Sequence, residues 1–278
     1  MGSYLADIVA AHRAAAAADT RPLESLRRAA ARADAPRGFA EALATQAATG
    51  LGVIAEVKRR SPSRGDLDPS LDPAAVARDY VRGGATCLSV LTDAEYFSGS
   101  SEDLVAARAA SGLPVLRKDF TVSAADVYDA RAMGADAVLL IVAALRDDEL
   151  VRFADLAGQL GMDALVEVHD EAELERALAT DARLVGVNQR DLETFEVDHG
   201  RAERLGAAIP GGVVAVAESG IRGENDAARL AAAGFSAVLV GESLVRAGDR
   251  AAAVAALVGH RVAGRPVPGA GTVPASSR

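Results

Sequence analysis

Hydrophobic and polar positions alternate along the chain on a long scale. Short, continuous apolar runs are each followed by a longer, alanine-rich amphipathic stretch. The apolar runs cover 53–57, 86–91, 114–117, 137–142, 164–168, 184–188, 213–217 and 237–241. Runs that are apolar at both parities predict strands covered on both faces, as in a parallel sheet. The stretches between them carry helix signals. A helix over 73–82 begins with Pro73 after Asp72, and one over 124–133 follows Ser123. Helices over 147–160 and 224–233 each run into a glycine, Gly161 and Gly234. Three helix-to-strand returns read alike: Gly84-Ala85-Thr86, Gly134-Ala135-Asp136 and Gly234-Phe235-Ser236. Strands alternating with helices predict βαβ units, and eight units favour a closed (β/α)8 barrel, an α/β fold of the TIM type, over an open sheet.

Residues 1–46 precede the first strand and predict one to three extra helices packed on the barrel. The barrel itself is expected over 47–262. The Pro/Gly-rich segment 263–278 is expected to be a disordered tail. The length of 278 residues suits one barrel with a small extension. No second barrel follows, so fusion to a further barrel enzyme is not expected of this chain.

Composition narrows the function classes. Thirty basic residues against 39 acidic ones leave a net charge of −9, which argues against a nucleic-acid partner. It leaves room for a local cationic pocket. The single cysteine, Cys87, excludes an intrachain disulfide and fits a reducing compartment; its apolar neighbours predict a small buried side chain. The N-terminus lacks the apolar core and cleavage site of a signal peptide, and no apolar run approaches a bilayer span. A cytoplasmic protein with no membrane partner is expected.

Chemistry in such barrels sits at the C-terminal ends of the strands. Side chains alternate along a strand. In Ile54-Ala55-Glu56-Val57-Lys58 one face is wholly apolar and suits the helix layer, so Glu56 and Lys58 point into the barrel mouth. The same parity aims Lys118, Glu167, Asn188 (with Arg190 just beyond) and Glu218 inward. A single polar residue at a strand end is ordinarily a solvated start of a loop. Five strands converging with two ammonium groups, three carboxylates and an amide form a set suited to proton transfer. The last two strands end in Glu218-Ser219-Gly220-Ile221 and Gly241-Glu242-Ser243-Leu244, loops that commonly bind phosphate through backbone N–H groups. The loop 59–65, which contains Ser61, offers further donors. His12, His169, His199 and His260 are scattered without metal-ligand spacing, and surface or core roles are expected for them. No Walker loop, nucleophile elbow or dinucleotide fingerprint is present, so neither metal nor organic cofactor is expected.

Several segments carry a resemblance. They are Ile54-Ala55-Glu56-Val57-Lys58-Arg59-Arg60-Ser61-Pro62-Ser63, Tyr96-Phe97-Ser98-Gly99-Ser100, Pro114-Val115-Leu116-Arg117-Lys118-Asp119-Phe120, Ala164-Leu165-Val166-Glu167-Val168-His169, Gly186-Val187-Asn188-Gln189-Arg190-Asp191-Leu192, Ala217-Glu218-Ser219-Gly220-Ile221 and Val240-Gly241-Glu242-Ser243-Leu244. Together, in order over about 50–247, they resemble the indole-3-glycerol phosphate synthases of tryptophan biosynthesis. The resemblance implies ring closure of 1-(2-carboxyphenylamino)-1-deoxyribulose 5-phosphate, with loss of carbon dioxide and water and no cofactor. It implies Lys118 as general acid, Glu167 as general base, and Lys58, anchored by Glu56, at the substrate carboxylate or the departing hydroxyl. Asn188, Glu218 and Ser219 would orient these groups or hold substrate hydroxyls. Ser61, Arg190, Gly220, Gly241 and Glu242 would hold the phosphate, and Phe97 and Phe120 would flank the anthranilate ring. A monomer or weak homodimer is expected.

Gln189 stands where the family often has Asn, outside any implied role. A phosphoribosylanthranilate isomerase fits poorly, because that chemistry resembles a Cys/Asp pair with the Cys ending strand one, whereas Cys87 opens strand two. A barrel that binds a phosphorylated ligand without turnover is disfavoured by the presence of Lys58, Lys118 and Glu167. A duplicate acting on a substituted anthranilate stays open.

Overall fold

A computed structural model of the chain describes residues 4–191 and 194–264. The tail expected over 263–278 lies outside the described residues from 265 on, as does Leu192. Eight parallel strands close into a barrel: β1 (Gly52–Val57), β2 (Cys87–Leu91), β3 (Val115–Lys118), β4 (Ala137–Ile141), β5 (Asp163–Val168), β6 (Leu184–Asn188), β7 (Val214–Glu218) and β8 (Ala237–Val240). Each pairs with the next, and β8 returns to β1 through Gly52↔Ala237 to Ala55↔Val240. Every strand lies within a residue or so of its apolar run, because those runs are dense in Val, Leu, Ile and Ala and buried on both faces.

The expected helix starts are capped by the side chains that predict them. Asp72 accepts from Ala74 N–H, and Ser123 forms a capping box with Asp126. The recurrent Gly-x returns are one device used repeatedly. After Gly84, Gly134, Gly161 and Gly234, all with positive φ, the next N–H reaches back to a carbonyl five residues earlier: Tyr80, Ala130, Ala157 and Leu230. This is a Schellman ending, and a side chain at the left-handed glycine would be strained.

Two apolar layers result. Outward residues such as Val53, Ala55 and Val57 pack under the helices. Inward residues, among them Ile54, Cys87, Leu116, Leu165 and Val216, fill the barrel.

The N-terminal region forms three helices, α1 (Tyr4–Ala18), α2 (Leu23–Ala30) and α3 (Phe39–Ala47). They run from the mouth of the barrel to its floor. Phe39 and Leu43 of α3 plug the N-terminal ends of the strands. Leu26 and Ala30 of α2 pack on Tyr128 along the flank. Helix α1 reaches the open end, where Arg13 forks onto Glu149 at 2.8 and 2.9 Å and donates to Ala144 O at 3.0 Å. No helix among the described residues is long and apolar enough to cross a membrane.

The Arg13–Glu149 fork makes a pH prediction. Hydrogen bonds from Arg13, opposed by burial and aided by Arg146 N–H, hold the Glu149 carboxyl down at about 2, below its ordinary 4.5. A lowered carboxyl stabilises the fold fully above 4.5, and that contribution disappears as pH falls through about 2. Glu149→Gln is expected to lower the urea midpoint at neutral pH and to flatten its decline across that acid window. Parallel declines in the two proteins would contradict the assignment.

Candidate active site

The strand parity that buries Ile54 and Leu116 carries the next inward residues to the open end of the barrel. There they line a cavity of about 580 Å³, within the range of roughly 300–1,000 Å³ usual for small-molecule sites. All fourteen site residues expected from the sequence are in its wall: Glu56, Lys58, Lys118, Glu167, Asn188, Glu218 and Ser219, with Ser61, Phe97, Phe120, Arg190, Gly220, Gly241 and Glu242.

The centre is a charge network. Lys58 Nζ lies 2.5 Å from Glu56 Oε1. Lys118 Nζ stands 3.2 Å from Glu167 Oε2 and 3.8 Å from Glu218 Oε2. Asn188 Nδ2 donates to Glu167 Oε1 at 3.1 Å. Burial disfavours the Lys118 ammonium, but the charges of Glu167, Glu218 and Glu56 outweigh it and raise its pKa above the ordinary lysine value. Burial also works against ionised Glu167; Lys118, His169 and the Asn188 bond overcome it and hold that carboxyl at about 2. Glu218 goes the other way. Burial, then the neighbouring Glu167 charge, push it well above the carboxylate range. The two carboxyls flanking Lys118 are thus shifted in opposite directions, Glu167 toward the ionised form and Glu218 toward the protonated one.

The β7 and β8 loops form the adjoining wall. Ser219 and Gly220 both have positive φ, 65° and 72°, which turns consecutive backbone groups at the strand end. A side chain at Gly220 would strike Val197 and His199, and one at Gly241 would strike the Glu56 carboxylate. Gln189, fully buried, donates to Ser219 O at 2.8 Å and braces the turn. Ser243 Oγ donates to Ile221 O at 3.0 Å and ties the two loops. Over them folds a two-residue hairpin, Arg60–Ser61 against Gly65–Asp66, which brings Ser61 and Arg64 back to the cavity. Ser61 Oγ is buried without a hydrogen-bond partner, and Arg64 reaches Glu242 at 3.2 Å. Arg190 is held by its own donation to Phe195 O at 2.9 Å. These groups form a cationic, donor-rich end suited to an anion.

Phe97 and Phe120 stand 6.4 Å apart, centroid to centroid, on the remaining side.

Sequence reasoning missed several participants. Tyr4, Leu5 and Ile8 of α1 close the cavity from above, and Phe195 joins through an edge contact with Tyr4 at 5.4 Å. No local signal places a helix 50 residues upstream over the mouth. His169 was legible: the parity that selects Glu167 also selects it, and its Nε2 lies 3.5 Å from Glu167 Oε1. Three of the four scattered histidines gather at this end of the barrel. His199 lines the wall, and His12 meets Asp93 at 2.9 Å. His12, Asp93 and Asp119 come close enough to hold a cation, but Asp93 already caps a helix and Asp119 is bonded to Arg117 and Thr92.

Comparison with known proteins gives consistent relatives. The family profile described as "Indole-3-glycerol phosphate synthase" matches residues 5–257. A protein of that name from a Nocardioides species is 52% identical over 259 residues, 92% of this chain and 98% of that one. Another from Mycobacterium ulcerans is 55% identical over 209 residues, 75% of this chain and 77% of its own. Among solved structures, a thiamine phosphate pyrophosphorylase from Pyrococcus furiosus superposes with a TM-score of 0.57 over 74% of this chain and 93% of that one. Its 17% identity speaks for the barrel alone.

Proposed function

The chain belongs to the indole-3-glycerol phosphate synthase family, and from that premise we propose how its residues divide the work of a carboxy-lyase in tryptophan biosynthesis. The reaction closes the pyrrole ring of 1-(2-carboxyphenylamino)-1-deoxyribulose 5-phosphate and releases carbon dioxide and water. The observation that carries the assignment is Lys118, its ammonium set in the cavity 3.2 Å from Glu167 and 3.8 Å from Glu218.

The ketone oxygen must gain a proton as the aromatic ring carbon attacks the carbonyl carbon, and Lys118 donates that proton. Glu167, low in pKa and within reach of the same space, takes the proton lost in the later dehydration. Lys58, fixed by Glu56, meets the substrate carboxylate and is the second ammonium available to the departing hydroxyl. Asn188 holds Glu167 in place. Glu218 Oε1, buried without a partner, is free for a substrate hydroxyl, with Ser219 beside it. The phosphate sits between Arg190, the unpartnered Ser61 Oγ and the backbone of Gly220, Gly241 and Glu242. The anthranilate ring lies against Phe97 and Phe120. Residues 1–46 act as the extension and 47–262 as the catalytic barrel, working in the cytoplasm as a monomer or weak homodimer.

The test is to supply this phosphorylated ketose to the purified protein and follow indole fluorescence. Steady product formation is expected. A folded protein that binds the compound and forms no indole would be a sensor or scaffold, and the proposal would fail.

A further inference from the structure

The stoichiometry of the proposed reaction leaves one proton to be supplied from outside. The substrate carboxylate carries a negative charge and leaves as neutral carbon dioxide. The C–C bond pair stays with the ring, and charge balance takes up one proton per turnover. Where Lys118 serves both acid steps in turn, at the ketone oxygen and then at the departing hydroxyl, it gives up two protons per turnover. One base step returns a proton to Glu167. Lys58, Lys118 and Glu167 all line the cavity that substrate fills. The side chain of Glu167 is only 1% exposed.

His169 is placed to bridge this gap. It follows Glu167 on the inward parity of β5, yet it stays outside the cavity wall. Its side chain keeps 12% exposure. Glu173 fixes the ring: Oε2 lies 3.0 Å from Nδ1 and also accepts the His169 backbone N–H at 2.7 Å. That anchor leaves Nε2 facing Glu167 Oε1 at 3.5 Å, buried and with no hydrogen-bond partner. On the far side of the carboxylate, Oε2 meets Lys118 at 3.2 Å. A partly exposed imidazole, a buried carboxylate and an ammonium are therefore consecutive neighbours.

We infer that His169, oriented by Glu173, is the positioning residue through which a solvent proton reaches Glu167, and through it Lys118, while the cavity is occupied. The inference rests on Glu167 as the base. The imidazolium gives its Nε2 proton to Glu167 Oε1; Glu167 gives one from Oε2 to the Lys118 amine; the neutral imidazole takes a proton from water or buffer, and no bond to carbon is touched.

The experiment compares wild type and His169→Ala at saturating substrate and fixed pH, with and without added imidazole. His169→Ala is expected to lower kcat by about a hundredfold, the lower end of what a lost proton-transfer group costs, at nearly unchanged KM. Imidazole should restore kcat in proportion to its concentration and leave the wild type unaffected. The first turnover, read by rapid mixing with enzyme in excess, should stay near the wild-type rate. His169→Asn, which keeps a polar side chain but carries no relayed proton, serves if alanine disturbs the fold, and should show the same loss. A kcat within twofold of wild type in either variant, or a loss that imidazole never relieves, would overturn the inference. Active Glu167→Gln would instead remove the reading beneath it, so the two failures are separable.

Discussion

Lys118→Ala is expected to lower kcat by roughly two to four orders of magnitude, the usual contribution of a general acid, with substrate affinity changed only a few-fold. The split follows from geometry. The groups proposed to bind the anion belong to the β1, β6, β7 and β8 loops, whereas Lys118 ends β3 and, among the described residues, meets Glu167 and Glu218 within salt-bridge range. The loss should fall toward the upper end, because the ammonium also holds Glu167 at about 2. Without it, burial and the neighbouring carboxyl raise the Glu167 pKa, so the variant loses part of its base along with its acid. Lys118→Arg separates the two effects. A guanidinium keeps the positive charge beside Glu167 but gives up no proton near neutral pH, so binding and stability should persist while turnover stays low. Indole fluorescence reports kcat, and titration calorimetry reports affinity. Near wild-type turnover in Lys118→Ala would remove the acid assignment.

What the sequence could reveal followed from local rules. Strand positions came from dense apolar runs, and alternation then decided that Glu56, Lys58, Lys118, Glu167, Asn188 and Glu218 share one side of the sheet. That alternation needs no tertiary knowledge, and the cavity contains all six. It applied equally to His169, two residues past Glu167, which a search for metal-ligand spacing passed over. What depended on packing stayed hidden. The helix-forming character of residues 4–18 says nothing about Tyr4, Leu5 and Ile8 roofing the cavity. The 60–66 hairpin has only two residues per strand, too few for a periodic signal. The opposite shifts of Glu167 and Glu218 depend on which carboxyl Lys118, His169 and Asn188 face in the folded protein. Residue types alone cannot say which of two carboxylates keeps the proton.

That inequality makes Glu167→Gln the second large effect, and one with an uneven outcome. The amide is isosteric and can still accept from Asn188, but it takes no proton, so kcat should fall by about two orders of magnitude or more. Stability should change little. The Glu218 pKa is raised first by burial and next by the charge of Glu167. When that charge is removed, Lys118, 3.8 Å away, draws Glu218 into ionisation, and the ammonium keeps a counter-ion. Glu167→Gln combined with Glu218→Gln lacks this exchange. Lys118 then has only Glu56, already engaged by Lys58 at 2.5 Å. A buried charge stripped of its partners costs on the order of 3–5 kcal/mol. Urea midpoints for the two single variants and the double variant should therefore be strongly non-additive, the double falling far below the sum of the singles. Additive midpoints would mean that Lys118 does not depend on either carboxylate as its counter-ion, and the exchange between Glu167 and Glu218 would have to be abandoned.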